Sequence, residues 1–239
     1  MPLMRARAWL RLVAGLGASA ISLCTAQSLA PTPADFNPSA SLNSSVSTSV
    51  DTSVDASPDV QRVVQWVVGS QDNRRAPFAI LDKRAAKLFA FDANGGLVDS
   101  TPILLGAAVG DDSVPGIGER PLAQVQPHER TTPAGRFDTE PGRNVTGEPV
   151  IWIDYDAAVS MHRVRLGNVK EQRMARLSSP DPSMRRISYG CINVPVKFFD
   201  TVIWPVFGRR RGVVYVLPET RPLHDVFPAL APRTAKTPG

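Results

Sequence analysis

The chain has few residues that could carry chemistry. Its 239 residues include 2 cysteines and 3 histidines, and it contains neither a CxxC pair nor an HExxH motif. Two cysteines cannot build the disulfide framework of a small secreted scaffold, and three histidines leave little from which to form a zinc site. We therefore expect no metal and no cofactor. With 43% hydrophobic and 21% charged residues, the composition is that of a globular protein rather than a fibrous or wholly disordered chain.

The sequence also lacks a hydrophobic run long enough for an ordinary membrane span. The apolar stretch over residues 12–26 is about five residues short of the ~20 that cross a bilayer, and three arginines precede it. This pattern, followed by Ala26 and Ala30 as cleavage points, is typical of a secretory signal peptide. We predict a signal peptide over residues 1–26 and a periplasmic or otherwise extracytoplasmic protein. An uncleaved signal that anchors the chain to the membrane is the alternative.

A low-complexity segment follows over residues 27–58. Ser, Thr, Pro, Ala, Val and Asp dominate it, Thr-Ser-Val-Asp occurs twice in succession, and Phe36 is its one aromatic residue. Such a segment cannot bury enough apolar surface to offset its ordering entropy, which predicts a flexible linker. The folded domain is then expected over residues 59–239, and Ser57-Pro58-Asp59 is typical of a helix start.

The net charge of +5 belongs to this domain, because the arginines of the signal segment cancel the aspartates of the linker. A modestly basic exported domain suits an anionic cell-wall polymer, a membrane surface or acidic peptides, although ordinary surface charge explains it nearly as well. The run Arg209-Arg210-Arg211 is predicted to be a solvated turn, so we expect no nucleic-acid partner.

Hydrophobic patterning predicts a mainly β domain with few helices. Apolar runs over residues 78–82 and 88–92 lead into an Asn-Gly turn and a further apolar run, which is a strong hairpin pattern. Further strands are expected over residues 150–154 and 213–217. A helix is expected over residues 195–204, where a proline opens the first turn and Pro205 stops it.

Cys191 is the most informative residue of the domain. Removal of the signal would take Cys24 away and leave Cys191 alone in the segment Ser188-Tyr189-Gly190-Cys191-Ile192-Asn193. The preceding glycine lets backbone amides turn toward an atom attacked by the sulfur. Export, solitude and this glycine favour a nucleophile over a thiol that serves as a small buried hydrophobe.

A nucleophilic thiol needs a basic partner. Lowering a thiol pKa from about 8.5 by about two units needs roughly 2.7 kcal/mol, whereas a helix N-terminus supplies only ~0.3 to 1 kcal/mol. His162 is the best candidate, because it follows the strand over residues 150–154 by one short loop. His128 lies in a proline-flanked polar segment and His224 lies near the C-terminal tail.

Over about residues 78–217 the chain resembles the L,D-transpeptidase catalytic domain, also called the YkuD domain. That family combines a β-rich fold with a Thr-Pro-x-Gly-x-Phe segment, a histidine at the end of a strand, and a Ser-x-Gly-Cys-hydrophobic-Asn or Arg motif. This chain has the three elements in the same order, as Thr132-Pro133-Ala134-Gly135-Arg136-Phe137, Met161-His162 and the Cys191 segment. The resemblance implies an L,D-transpeptidase-like β-sandwich or barrel.

The resemblance also implies an exported enzyme that acts on peptidoglycan stem peptides. Cys191 would attack the carbonyl of the L-centre of a diamino acid, expel D-alanine and form a thioester, while His162 forms a thiolate-imidazolium pair and transfers protons. Amides near Gly190 and Cys191 would hold the oxyanion. The acceptor could be a second stem, a lysine of an outer-membrane lipoprotein or a free D-amino acid. With water as acceptor the enzyme is an L,D-carboxypeptidase. A catalytically silent cell-wall-binding module is the alternative of another class.

Two residues depart from the family pattern. Tyr189 stands where many members have a second histidine, so it is expected to border the acyl pocket. Arg163 follows His162 where a glycine or serine is common, and Ser188 is therefore expected to orient the imidazole through its hydroxyl or carbonyl. We predict that Tyr189, Asn193 and Arg163 contact the substrate. The Thr132 to Phe137 segment is expected to be structural, with Phe137 in the core.

The interval between His162 and Cys191 is longer than is usual in the family, and it is basic. Its arginines and lysine are opposed only by Glu171 and Asp181. We predict a short helix over residues 168–177 and a basic flap over the active site, in which Arg185 and Arg186 meet stem-peptide carboxylates. An exposed, solvated loop is the alternative. Asp111 and Asp112 are expected to lie in a surface loop.

Overall fold

The structure, a computed structural model, describes residues 55–232. The predicted signal peptide, Cys24 and most of the predicted linker lie outside the described residues. Over residues 55–232, no helix combines the length and hydrophobicity that a membrane span requires.

Strands dominate the described region. They are β1 (Phe78–Asp82), β2 (Lys87–Phe91), β3 (Leu97–Pro102), β4 (Leu105–Gly106), β5 (Gly135–Asp138), β6 (Glu140–Arg143), β7 (Pro149–Asp154), β8 (Val159–Arg163), β9 (Arg186–Ser188), β10 (Ile192–Val194) and β11 (Val213–Val216). The helices are short apart from the first, and they are α1 (Pro58–Ser70), α2 (Arg173–Ser178), α3 (Val196–Phe198), α4 (Trp204–Phe207) and α5 (Leu223–Val226). The predicted mainly β class with few short helices is confirmed.

The strands form two larger sheets and one small pair. One sheet has the order β3-β2-β1-β11-β5, the other has the order β10-β8-β7-β6, and β4 pairs with β9. The predicted hairpin region is confirmed, since β1, β2 and β3 are antiparallel neighbours. Two pairings within the larger sheets are parallel, β1 with β11 and β8 with β10.

The five-stranded sheet is covered on both faces. One face shares a core with the four-stranded sheet, in which Leu81, Met161 and Ile192 are fully buried. Its other face packs on α1 through Val60 and Val64 of that helix, which lie in a second core cluster with strand residues. Burial on both faces explains why all five residues of β1 are buried rather than alternating with exposed ones.

Helix α1 begins as the sequence predicts. The Ser57 side chain accepts a hydrogen bond from the Val60 amide, and Pro58 occupies the first turn, where a missing N–H costs nothing. The predicted stop at Pro205 is wrong. A π-helical segment, Phe199–Ile203, follows α3, and Pro205 then lies in the first turn of α4, where proline is tolerated.

Candidate active site

The parallel pair β8–β10 brings the predicted nucleophile and base to the same side of the sheet. Met161 pairs with Ile192, both in the core, and His162 pairs with Asn193. Because successive side chains of a strand point to opposite faces, His162 turns away from the core that Met161 enters. Cys191, the residue before β10, lines the same cavity as His162.

This cavity has a volume of about 370 Å³. Among the predicted site residues, its lining includes Cys191, His162, Ser188, Tyr189 and Asn193. The inserted segment between His162 and Cys191 adds polar side chains to the wall, those of Arg165, Asn168, Glu171 and Arg173. The cavity therefore combines a thiol, an imidazole and two guanidinium groups.

Ser188 closes the turn that carries Cys191. Its hydroxyl donates to the Cys191 carbonyl oxygen at 2.6 Å and accepts the Gly190 N–H at 3.1 Å. Gly190 has φ +129°, and a Cβ at this position would lie 2.7 Å from the Thr131 carbonyl oxygen. Both the conformation and the close approach require glycine here, which gives the Ser-x-Gly-Cys motif a physical reason.

The Cys191 thiol has two polar neighbours besides the turn. Its Sγ lies 3.6 Å from the Ala158 carbonyl oxygen and 3.8 Å from the Ser160 hydroxyl. Ser160 was not predicted as a site residue. The strand alternation that directs His162 toward the cavity also directs Ser160, two residues earlier, to the same face.

The His162 imidazole is held by the backbone of the next residue. Its Nδ1 lies 2.7 Å from the Arg163 carbonyl oxygen. A carbonyl oxygen only accepts, so Nδ1 carries the proton of this hydrogen bond and Nε2 of the neutral ring keeps a free lone pair. The expectation that Ser188 orients the imidazole is not supported, because its hydroxyl is engaged within the cysteine turn and its carbonyl accepts the Ala107 N–H at 2.9 Å.

The surroundings of His162 favour its neutral form. Burial lowers the pKa of His162 below its usual value of 6.5, and the positive charges of Arg165 and Arg173 lower it further. The hydrogen bond to the Arg163 carbonyl opposes this shift without cancelling it. At neutral pH the ring is therefore a proton acceptor.

Arg163 faces away from the cavity. Its Nε donates to Asp200 Oδ1 at 2.7 Å, and its guanidinium carbon lies 4.6 Å from the centre of the Phe199 ring. The strand alternation that places His162 at the cavity turns its neighbour to the opposite face. The predicted contact between the Arg163 side chain and substrate is thus replaced by an ion pair with the helical segment after β10.

Arg185 and Arg186 also bind the fold rather than the cavity. Arg185 donates to the Ala85 carbonyl at 3.1 Å and the Ser179 carbonyl at 2.6 Å. Arg186 pairs with Glu219 and donates to the Lys83 carbonyl at 3.3 Å. The terminal nitrogens of both guanidinium groups are engaged by acceptors of the fold, so they are not directed at a substrate carboxylate. The predicted flap arginines therefore serve as internal anchors of the segment.

The inserted segment does border the cavity, through different arginines. Its short helix is confirmed in position, as a 3-10 turn over Val169–Glu171 and helix α2. Arg173 donates to Glu171 at 2.5 Å and to Asn193 Oδ1 at 2.6 Å, while Asn193 Nδ2 donates to the Cys191 carbonyl oxygen at 3.2 Å. Asn193 thus links the inserted segment to the cysteine turn. Arg165 pairs with Glu148.

Tyr189 stands at the mouth of the cavity with 39% of its surface exposed. The Arg130 guanidinium carbon lies 4.0 Å from the centre of its ring, a cation–π contact that the sequence analysis missed. Leu122, from a short helical turn, also lines the cavity. No local sequence pattern relates Arg130 or Leu122 to Cys191. Only the tertiary fold brings these two residues close to the cysteine segment.

A buried ion cluster lies behind the cysteine turn. Lys83 Nζ donates to Asp111 Oδ1 at 2.7 Å and to the Thr132 carbonyl oxygen at 2.9 Å, and its Nζ lies 3.6 Å from Glu219 Oε1. Burial lowers the pKa of Lys83. Burial would raise the pKa of Asp111, but hydrogen bonds from Lys83 and from Thr220 lower it overall. The expectation that Asp111 lies in a surface loop is wrong, because Asp111 is the acceptor at the centre of this cluster.

No protein-family model matches the chain, and no curated protein does. Several solved structures are similar to it. The Ldtfm–avibactam carbamoyl enzyme is 18% identical with a TM-score of 0.36, over 60% of this chain and 49% of that one. The catalytic domain of an E. faecium L,D-transpeptidase is 19% identical with a TM-score of 0.35, over 60% of this chain and 98% of that one.

The helical cell shape determining protein Pgp2 from Campylobacter jejuni is 11% identical with a TM-score of 0.40, over 66% of this chain and 56% of that one. The chain thus spans about half the length of the Ldtfm and Pgp2 chains. The similarity is one of fold over part of the chain, so any assignment of function rests on the residues of the cavity.

Proposed function

We propose that this domain is a cysteine acyltransferase that acts on peptidoglycan stem peptides outside the cytoplasm, as an L,D-transpeptidase does. The observation that carries the proposal is that Cys191 and His162 line one cavity, where burial lowers the pKa of His162. The order of the three sequence motifs supports the same reaction class. The cavity wall carries both signs of charge, with Arg165 paired to Glu148 and Arg173 to Glu171, so the proposal rests on the thiol and the imidazole rather than on the charge of the wall.

The first half-reaction forms a thioester. His162 Nε2 accepts the Cys191 thiol proton as Sγ attacks the carbonyl carbon at the L-centre of the diamino acid. The tetrahedral intermediate collapses as the imidazolium gives its proton to the leaving nitrogen, the C–N bond breaks, and D-alanine departs. Burial and the charge of Arg165 lower the pKa of His162, which favours the neutral ring as the acceptor of the thiol proton in this step.

The second half-reaction transfers the acyl group. The acceptor amine gives a proton to His162 as its nitrogen attacks the thioester. The C–S bond then breaks, and the imidazolium returns this proton to the Cys191 sulfur. A second stem peptide, a lysine of an outer-membrane lipoprotein and a free D-amino acid are the acceptors to compare. Tyr189 lines the cavity, which supports a contact between its ring and the incoming chain. Asn193 acts through the Cys191 carbonyl that it contacts.

The test uses the full chain, its Cys191→Ala variant and purified tetrapeptide muropeptides, with products identified by mass spectrometry. We expect crosslinked dimers and a covalent acyl adduct on Cys191. Released tripeptides without dimers would assign the carboxypeptidase reaction instead. Unchanged muropeptides, no adduct on Cys191 and co-sedimentation of the protein with intact murein sacculi would together assign a silent binding module.

The base is tested separately with matched histidine variants. His162→Asn should lose adduct formation by about 10²-fold or more, because general base catalysis of this kind contributes roughly that factor. His224→Asn is the control, since its imidazole is 45% exposed and does not line the cavity. Equal activity of the two variants would contradict the assignment of His162.

A further inference from the structure

We propose that Thr132 is a positioning residue that aims the Cys191 N–H at the oxyanion of the acyl-transfer intermediate. The inference rests on the proposed function, and it assigns this task to a side chain that touches neither the sulfur nor the substrate. The link between them is the peptide unit that joins Gly190 to Cys191.

The Thr132 hydroxyl links this peptide unit to the backbone of Gly106. Its Oγ1 accepts the Gly106 N–H at 3.0 Å and donates its own hydrogen to the Gly190 carbonyl oxygen at 2.8 Å. Thr132 is 1% exposed, so water does not compete for either bond. A hydroxyl has one hydrogen, and the carbonyl of Gly190 can only accept it.

Fixing this carbonyl also fixes the amide that follows it. The Gly190–Cys191 peptide bond is trans. In a planar trans peptide the C=O and the N–H point in opposite directions. The carbonyl is directed at Thr132, and the Cys191 N–H is therefore directed away from it. Gly190, at φ +129°, would otherwise allow this plane to rotate freely.

The hydrogen bond from Thr132 to the Gly190 carbonyl fixes the orientation of the Cys191 amide, which is the proposed oxyanion donor. Two amides of the turn were expected to hold the oxyanion, those of Gly190 and Cys191. The Gly190 N–H is already donated to Ser188 Oγ. The orientation of the second amide then decides how well the intermediate is stabilised, because oxyanion donors act through preset geometry.

Thr132 is itself held from behind. Lys83 Nζ donates to the Thr132 carbonyl oxygen at 2.9 Å while it pairs with Asp111. The carbonyl oxygen of Thr131, the preceding residue, is the atom that a Cβ at Gly190 would approach to 2.7 Å. Thr131 and Thr132 therefore restrict the movement of the Gly190–Cys191 peptide unit.

The experiment separates acyl transfer from thiol reactivity. Acylation of Cys191 by 4-nitrophenyl acetate passes through an oxyanion, whereas alkylation by iodoacetamide displaces iodide and forms none. Both rates are measured over a range of pH in the full chain with Cys24→Ala, so that Cys191 is its one thiol, and in this background with Thr132→Val, Thr132→Ser or Thr132→Ala. The Cys24→Ala/Cys191→Ala chain gives the background rate. Thr132→Ser keeps the hydroxyl, and Thr132→Val keeps the shape of the side chain without it. If Thr132→Val does not fold, comparison of Thr132→Ser with Thr132→Ala shows whether the hydroxyl is needed.

We expect Thr132→Val and Thr132→Ala to slow acylation by roughly 10- to 100-fold, short of the ~10² to 10³ for loss of an entire donor. Alkylation should stay within about twofold at every pH, and Thr132→Ser should restore most of the acylation rate. Acylation at the wild-type rate without the hydroxyl would overturn the proposal. A matching fall in both rates would do so too, because it would indicate that Thr132 merely supports the turn.

The probe contains no stem peptide, which keeps two failures apart. A wild-type chain that reacts with 4-nitrophenyl acetate but leaves tetrapeptide muropeptides unchanged contradicts the proposed function, and the variant ratios still decide the role of Thr132. A wild-type chain whose Cys191 is alkylated but never acylated by the probe overturns the inference itself.

Discussion

The Nδ1 atom of His162 lies 2.7 Å from the carbonyl oxygen of Arg163. This contact fixes the tautomer of the ring through backbone alone, so the identity of the following side chain does not affect it. The large Arg163 side chain after His162 therefore leaves the orientation of the base intact. Nε2 is left as the acceptor for the thiol proton.

The first prediction concerns pH. Burial is the main reason why the pKa of His162 is below 6.5, so the ring should be neutral at neutral pH. The acid limb of the pH profile for Cys191 acylation should therefore lie below pH 6.5. The unfolded chain binds this proton more readily, so stability should also decrease as the pH falls below 6.5. An NMR titration of the histidine ring protons checks the pKa directly. Titration of His162 at or above 6.5 would contradict this account of the site.

The second prediction tests the charges around that ring. Arg165 lines the cavity, and its positive charge lowers the pKa of His162. Arg165→Gln should therefore move the pKa of His162 and the acid limb upward, whereas Arg165→Lys, which keeps the charge, should leave both in place. Added salt should move the wild-type value in the same direction, since it screens an exposed charge. An acid limb that is the same in the Gln and Lys variants would rule out this coupling.

The third prediction concerns the glycine before the nucleophile. Gly190→Ala introduces a Cβ 2.7 Å from the Thr131 carbonyl oxygen at a φ of +129°. We expect a loss of about 1 to 3 kcal/mol in the free energy of unfolding and a much slower acylation of Cys191. Gly167→Ala is the control, because Gly167 lies at the same cavity and a Cβ there meets nothing within 4 Å. Equal stability of the two variants would show that the turn adapts.

Much of the site could be predicted because its information is local. The glycine-cysteine motif and the lone histidine after a strand are short patterns, and helix α1 follows from Ser57 and Pro58. The orientation of Arg163 was missed because the sequence analysis predicted a loop before His162 rather than strand β8. Within that strand, the alternation of side chains turns Arg163 to the face opposite His162.

The partners of Arg185, Arg186 and Asp111 could not be predicted in this way. Arg185 binds a carbonyl 100 positions away in sequence, and Asp111 meets a lysine 28 positions before it and an amide 108 positions after it. No periodicity links such residues. The number of arginines in a segment indicates its charge. The tertiary fold decides whether each guanidinium binds acceptors within the protein or is accessible to a substrate.

The last prediction tests whether Arg186 binds acceptors within the protein or a substrate. Arg186 and Glu219 form an ion pair whose side chains are 13% and 4% exposed. Arg186→Met removes the cation from a buried carboxylate, which costs about 3 kcal/mol of unfolding free energy, at the lower end of the usual range because Lys83 Nζ stays 3.6 Å from Glu219. The double variant Arg186→Met/Glu219→Met should recover part of that loss, because it leaves no unpaired carboxylate.

Exposed Arg211, which pairs with Glu140, is the control, and Arg211→Met should cost under about 1 kcal/mol. Denaturant unfolding gives these free energies. The Michaelis constant for an anionic stem peptide, measured where the variants are folded, should be the same for wild type and Arg186→Met, since this guanidinium is saturated by internal acceptors. A raised Michaelis constant at unchanged stability would instead place Arg186 at the substrate, and the internal anchor would have to be abandoned.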